Sequence, residues 1–177
     1  MKLVILDRDG TINHDSDHYI KSPKEWRPIG GSLEGIARLT QAGYRIVVAT
    51  NQSGIARGLF DTATLIAIHD TLQKAVAQAG GRIDAFFFCP HAADSACACR
   101  KPQPGMLLEV ARRFNVALAD TYMAGDALRD VQAAAAAGAR PVLVLTGRGR
   151  RTQAEGGLPP GTAVFENLGA FARHLAP

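Results

Sequence analysis

Lys2-Leu3-Val4-Ile5-Leu6-Asp7-Arg8-Asp9-Gly10-Thr11 decides how the rest of the chain is read. An apolar run, Leu3 to Leu6, stops at two carboxylates spaced i, i+2. In a strand that spacing puts both acids on one side. A short run rich in β-branched residues reads as a strand buried in a parallel sheet. Open α/β sheets take their ligands beyond the carboxyl ends of the strands. Gly10 lets the backbone turn sharply away, so Asp7 and Asp9 are expected at a strand-to-loop exit. Alone, a D-x-D pair is a weak signal that solvated strand-end acids would match equally.

Working outward, the 177 residues fit one domain over 1–177. An apolar fraction of 47% with 20% charged residues is that of a globular protein. The net charge of +4 suits an anionic substrate. It is not concentrated into an aromatic-lined basic face, which argues against nucleic acid as a partner. Too few apolar residues precede Asp7 for a signal peptide or a membrane span. A cytoplasmic protein is therefore expected, with no membrane partner and as a monomer.

The rest of the chain alternates between helix and strand patterns. Residues 12–31 read as a loop, and Ser32 is placed to cap a helix running to Gly43. Strands are expected at 44–49, 85–88, 121–124, 141–145 and 163–165. Helices are expected from Asp61 or Thr62 to Gly80, and at 106–114, 128–137 and 168–175. His69, inside the second helix, reads as a surface residue without a role, and residues 146–161 read as loop. Regular alternation without a repeat or linker predicts a doubly wound, mostly parallel α/β sheet with helices on both faces and no cap domain.

Four expected strand exits carry polar groups: Asp7 and Asp9; Thr50 and Asn51; Arg100 and Lys101; Asp126 and Asp130. In a parallel sheet they meet at one edge. Acids brought together there need a cation, and hard oxygen ligands facing a phosphate favour Mg²⁺. A carboxylate can attack phosphorus, while a lysine and hydroxyl donors meet the charge of the transferred group. To serve as an acid, Asp9 must rise above the ~3.9 of a free aspartate; Asp7 raises it and a metal ion opposes that.

All three cysteines lie in residues 89–99. Cys89, His91, Cys97 and Cys99 form a soft four-ligand set suited to structural, tetrahedral Zn²⁺ without an open position. The alternative is three free thiols beside a solvated histidine. Arg100 and Lys101 follow directly, so zinc is expected to fix the backbone that delivers Lys101 and thereby to control activity.

Asp7-Arg8-Asp9-Gly10-Thr11, Thr50-Asn51, Lys101 and Gly125-Asp126-x-x-x-Asp130 together resemble the four ordered motifs of the haloacid dehalogenase superfamily of phosphohydrolases. The resemblance implies Asp7 as nucleophile, Asp9 as general acid and base, Thr50 and Lys101 as phosphoryl-holding groups, and Mg²⁺ at Asp7, Asp9 and Asp126 with Asp130 behind. The zinc loop and Ser53-Gly54-Ile55-Ala56-Arg57-Gly58 narrow the resemblance to the branch acting on phosphorylated sugars. That branch implies substrate contacts at Asp15, Ser16, Asp17, His18, Asn51, Gln52, Ser53 and Arg100. For a second anionic end, Arg57, Arg100 and Arg148-Gly149-Arg150-Arg151 are the candidates. Ala127 stands where some members carry a lysine. Histidinol phosphate is the alternative substrate; a nucleic-acid-end phosphatase and a zinc-finger-like binding module are the other readings.

Overall fold

The chain, described here over residues 1–177 in a computed structural model, builds a six-stranded sheet. Its strands are β1 (Lys2–Leu6), β2 (Tyr44–Asn51), β3 (Ala85–Cys89), β4 (Tyr122–Gly125), β5 (Arg140–Val144) and β6 (Ala163–Phe165). Every pairing is parallel, in the order β3-β2-β1-β4-β5-β6. The connecting helices are α1 (Ser32–Gln41), α2 (Thr62–Gln78), α3 (Gly105–Phe114), α4 (Leu128–Ala137), α5 (Gly149–Glu155) and α6 (Leu168–Leu175). No folded cap interrupts the connections.

β1 shows why a continuous apolar run marks a central strand. Val4 and Leu6 enter a core shared with α1, α2 and α6, while Leu3 and Ile5 enter one shared with α3 and α4. Both faces are buried, so both parities are apolar. The order reverses between β1 and β4, and that switch point is where a doubly wound sheet opens a crevice. Asp7 leaves one of these strands and Asp126 the other.

Three local expectations are corrected. Gly31, with φ 82°, occupies the cap position of α1. The Ser32 hydroxyl instead reaches the carbonyls of Ile12 (2.7 Å) and Ile29 (2.8 Å), tying the long loop to the helix. Residues 149–155 form α5 inside the expected 146–161 loop. Good helix formers and an Arg151–Glu155 pair at 2.7 Å sustain that turn before Gly156 ends it. His69 is buried, at 6% exposure, because α2 lays it against β3. Asp61 does cap α2, its carboxylate accepting from the Thr64 N–H at 2.8 Å.

Candidate active site

The carboxylates of Asp7, Asp126 and Asp130 converge, each with an oxygen within 4.8 Å of the others. Asp7 continues β1, its N–H donating to the Ala124 carbonyl at 2.9 Å. Asp126 follows β4, and Asp130 sits in the first turn of α4, where its carboxylate accepts from the Ala127 N–H at 3.0 Å. Lys101 is 1% exposed and closes the cluster. Its ammonium lies 2.8 Å from Asp7 Oδ1, 2.7 Å from Asp130 Oδ1 and 2.8 Å from the Ala49 carbonyl. It donates to Asp7 and Ala49 and makes an ion pair with Asp130, whose Oδ1 accepts no hydrogen bond. Burial alone would lower the Lys101 pKa, but the two carboxylates outweigh it and raise it.

Lys101 and the neighbouring Arg129 do not offset the burial of three acids. Burial, then Asp130, pushes Asp7 up to about 6 against the pull of Lys101. Asp126 rises to about 8 through burial and the charges of Asp130 and Asp7. Its Oδ2 accepts from the Arg148 N–H at 2.8 Å, while its Oδ1 is buried without a partner. An orphaned carboxylate oxygen beside a second acid asks for a cation. The hard oxygen donors of Asp7 and Asp126, with Asp130 behind them, fit a magnesium ion.

Asp9 belongs to a separate arrangement. Its carboxylate faces Arg8 (2.8 Å), Asn13 Nδ2 (2.9 Å) and Gln52 Nε2 (3.0 Å). Burial would raise its pKa, yet Arg8 and these hydrogen bonds prevail and hold it below the usual carboxylate range. In this state Asp9 is ionised, the opposite of the elevation an acid requires. Gln52 also donates to Thr50 Oγ1 at 2.9 Å, so one amide links the phosphoryl-side hydroxyl to Asp9.

The thiols and imidazole of Cys89, His91, Cys97 and Cys99 form a second convergent group. Cys89 Sγ lies 3.7 Å from Cys97 Sγ, 3.0 Å from Cys99 Sγ and 3.4 Å from His91 Nδ1. Tetrahedral Zn²⁺ with bonds of ~2.3 Å needs edges of roughly 3.7 Å, so the set is compact enough to close on that ion. The loop meets the active site through Asn51. Its side chain accepts from the Lys101 N–H and donates to the Lys101 carbonyl, each at 3.0 Å. Asn51, expected to touch substrate, spends its amide clasping the backbone of the lysine.

Beside Asp9 opens a cleft of about 240 Å³ lined by Asp15, Ser16, Asp17, Asn51, Gln52, Ser53 and Arg100, all read from the sequence. His18 lines a neighbouring hollow with Lys21 and Arg27, and Arg57 lies over the Tyr19 ring at 5.9 Å. Arg148 reaches the cleft and pairs with Asp15 (3.5 Å) and Asp17 (3.8 Å). Arg150 and Arg151 turn outward to Glu166 and Glu155.

Sequence reasoning missed Arg129. It lines the cleft from the first turn of α4, and its buried Nε has no partner. Its position one residue before Asp130 was the available signal. Also missed was the Thr146-Gly147-Arg148 segment that seats Asp126. Gly10 and Gly147, with φ of 85° and 53°, flank that carboxylate so closely that a Cβ on either would overlap it.

Such a cluster of acids and a lysine at the switch point of a parallel sheet defines a phosphoryl-transfer hydrolase. The HAD-hydrolase-like family model matches residues 98–171. A Bordetella bronchiseptica D-glycero-beta-D-manno-heptose-1,7-bisphosphate 7-phosphatase is 62% identical over 99% of this chain and 98% of its own. One of the same name from Pseudomonas putida is 52% identical over 99% of each. The crystal structure of D,D-heptose 1,7-bisphosphate phosphatase from B. bronchiseptica, complexed with magnesium and phosphate, superposes with a TM-score of 0.97 at 62% identity. It covers 99% of this chain and 98% of that one. The chain belongs to the phosphatase family of these relatives, within the HAD-like hydrolases.

Proposed function

We propose that this chain hydrolyses the 7-phosphate of D-glycero-D-manno-heptose 1,7-bisphosphate through an aspartyl phosphate on Asp7, in the heptose branch of lipopolysaccharide precursor synthesis. The observation that carries the chemistry is the buried Asp7–Lys101 pair at 2.8 Å beside Asp126 and Asp130. The substrate follows from relatives up to 62% identical along the whole chain.

An Asp7 oxygen attacks phosphorus, the ester P–O bond breaks, and the departing sugar oxygen takes a proton from Asp9. Asp9 then takes a proton from water as that water attacks the aspartyl phosphate, releasing inorganic phosphate and freeing Asp7. Asp9 is ionised at rest, so it needs a proton before the first step, and the incoming dianionic phosphate favours that by like charge. Lys101 and the Thr50 hydroxyl face the transferred group. Magnesium, held by Asp7, Asp126 and the Asp9 backbone with Asp130 behind, would neutralise charge on the phosphoryl oxygens. Zinc would hold the 89–99 loop of this single 1–177 domain. The second phosphate is received at the cleft rim by Arg129, Arg148 and Arg100, displacing Asp15 and Asp17 from Arg148. A cytoplasmic monomer without nucleic-acid or membrane partners completes the reading. No helix is long and apolar enough to cross a membrane.

The test is phosphate release with Mg²⁺ from heptose 1,7-bisphosphate, histidinol phosphate and a 5′-phosphorylated oligonucleotide, with Asp7→Asn as control. A strong preference for the heptose, abolished in Asp7→Asn, is expected. Preference for histidinol phosphate would overturn the substrate, and activity in Asp7→Asn the nucleophile.

A further inference from the structure

Strand alternation puts Arg8 on the side of β1 opposite Asp7, where Val4 and Leu6 pack beneath α2. Arg8 is completely buried. A guanidinium has five N–H donors and cannot shed its charge, so each donor needs an acceptor there. Nε and Nη2 point back at Asp9, at 3.0 Å and 2.8 Å from Oδ1, with Nη2 also 3.1 Å from Oδ2. Nη1 points the other way, 3.2 Å from Nε2 of His69. Because arginine only donates, that nitrogen must present its lone pair, which places the ring proton on Nδ1. Burial, and next the charge of Arg8, lower the His69 pKa to about 3, keeping the ring neutral. Its orientation is set from the far side by Phe86 of β3, stacked at 4.3 Å between centroids and 13° between planes.

We propose that His69 is a positioning residue for the phosphatase reaction: its Nε2 holds the Arg8 guanidinium, which in turn aims the Asp9 carboxylate. The chain Phe86, His69, Arg8, Asp9 runs from the sheet core to the cleft. Asn13 and Gln52 hold Asp9 from other sides, so once the Arg8 fork opens they alone set the carboxylate, and it shifts toward them. Without the imidazole acceptor, Nη1 is left unpaired in the core. Arg8 then rotates toward a new acceptor and the fork on Asp9 opens. A carboxylate displaced by about 1 Å transfers protons poorly, which can cost on the order of 100-fold in rate.

The inference rests on the reading of Asp9 as proton carrier, and the experiment separates the two. His69→Phe keeps the stack on Phe86 and removes the acceptor; His69→Gln supplies an amide oxygen in its place. Both are compared with wild type and Asp9→Asn on heptose 1,7-bisphosphate, whose alkoxide leaving group needs a proton, and on 4-nitrophenyl phosphate, whose phenolate does not. We expect His69→Phe to lose about tenfold or more in kcat on the heptose, with KM nearly unchanged. The initial burst of 4-nitrophenol is expected to stay close to wild type, and His69→Gln to recover most of the lost kcat. Full kcat on the heptose in His69→Phe, equal losses in both His69 variants, or an equal fall on both substrates would overturn the role of His69. Full activity in Asp9→Asn would overturn the reading of Asp9 and the inference with it. If His69→Phe does not melt cooperatively, His69→Leu, smaller and also lacking an acceptor, carries the same comparison.

Discussion

The two sides of the crevice differ in how completely they are built. On one side, Asp7, Lys101, Asp126 and Asp130 are buried and interlocked through the strand ends and Asn51. On the other, Asp15, Asp17 and Arg148 make long pairs at 3.5 Å and 3.8 Å on partly exposed side chains. Arg129 there has a buried nitrogen without a partner. A reaction that concentrates charge on one phosphorus needs donors set in advance. A substrate's second end needs groups that can exchange a weak protein partner for a ligand. In the proposed reaction the first side performs the chemistry and the second selects the substrate.

Lys101→Met breaks the interlocked side hardest. It leaves Asp7 and Asp130 buried without their cation, and removing one partner of such a pair costs about 3–5 kcal/mol. Turnover should fall on the order of 1000-fold, the range seen when one transition-state donor is lost. Phosphate release and urea unfolding, repeated with excess Mg²⁺, check both effects. A variant of near-normal stability would show that the two acids are already neutralised by other means.

Stripping zinc tests whether the boundary between the sides is rigid. The loop from Cys89 to Cys99 runs straight into Arg100 and Lys101. A chelated sample that keeps its secondary structure should lose at least about tenfold in kcat, since displacement of positioning groups is costly. Unchanged turnover in a sample shown to be zinc-free would separate the loop from the lysine.

Arg129→Met acts mainly on the open side, although its charge also lowers the pKa of Asp7 and Asp126. KM for the bisphosphate should rise about tenfold with a smaller fall in kcat, the rise being the signature of lost uniform binding. A small monophosphate should show the fall in kcat without the rise in KM. Equal changes in KM on both substrates would remove Arg129 from recognition.

The smallest effect is in acid. His69 has its folded pKa lowered from 6.5 to about 3, so below pH 6.5 the unfolded chain takes up a proton that the folded chain does not. The stability due to neutral His69 is therefore full above about 6.5 and is lost as pH falls toward 3. Between pH 7 and 5 the Tm of wild type should fall more steeply than that of His69→Phe. Parallel curves would mean that the ring charges without unfolding.

The interlocked side was largely legible from the sequence, and on the open side Asp15, Ser16, Asp17, Arg100 and Arg148 were read while Arg129 was missed. Leu3 to Leu6, Thr50-Asn51 and Gly125-Asp126 announce themselves through local pattern: an apolar run, then polar residues where the chain leaves the sheet. His69 was misread although its spacing puts it on the apolar face of α2, four residues after Leu65 and three before Leu72; a polar residue type outweighed its position. Arg129 carries only its place beside Asp130, and the packing of α4 beside the cleft gives it a role. α5 was hidden by its glycines and arginines, which suit a loop until Arg151 finds Glu155. The strand order was not readable because pairing of β1 with β4 is a long-range contact. Asn51 was read as a substrate contact and does line the cleft; its clasp on the Lys101 backbone was not read.

That long-range pairing, Val4 beside Tyr122 and Leu6 beside Ala124, also orders events during biosynthesis. Asp7 leaves the ribosome well before Asp126, and β1, at the switch point, has no neighbour on that side until β4 is made. Until then the carboxylate at position 7 lacks the like charges of Asp126 and Asp130, although Lys101 and its anchors Ala49 and Asn51 are already made. The three-acid cluster is therefore completed in one late step, when the two halves of the sheet meet.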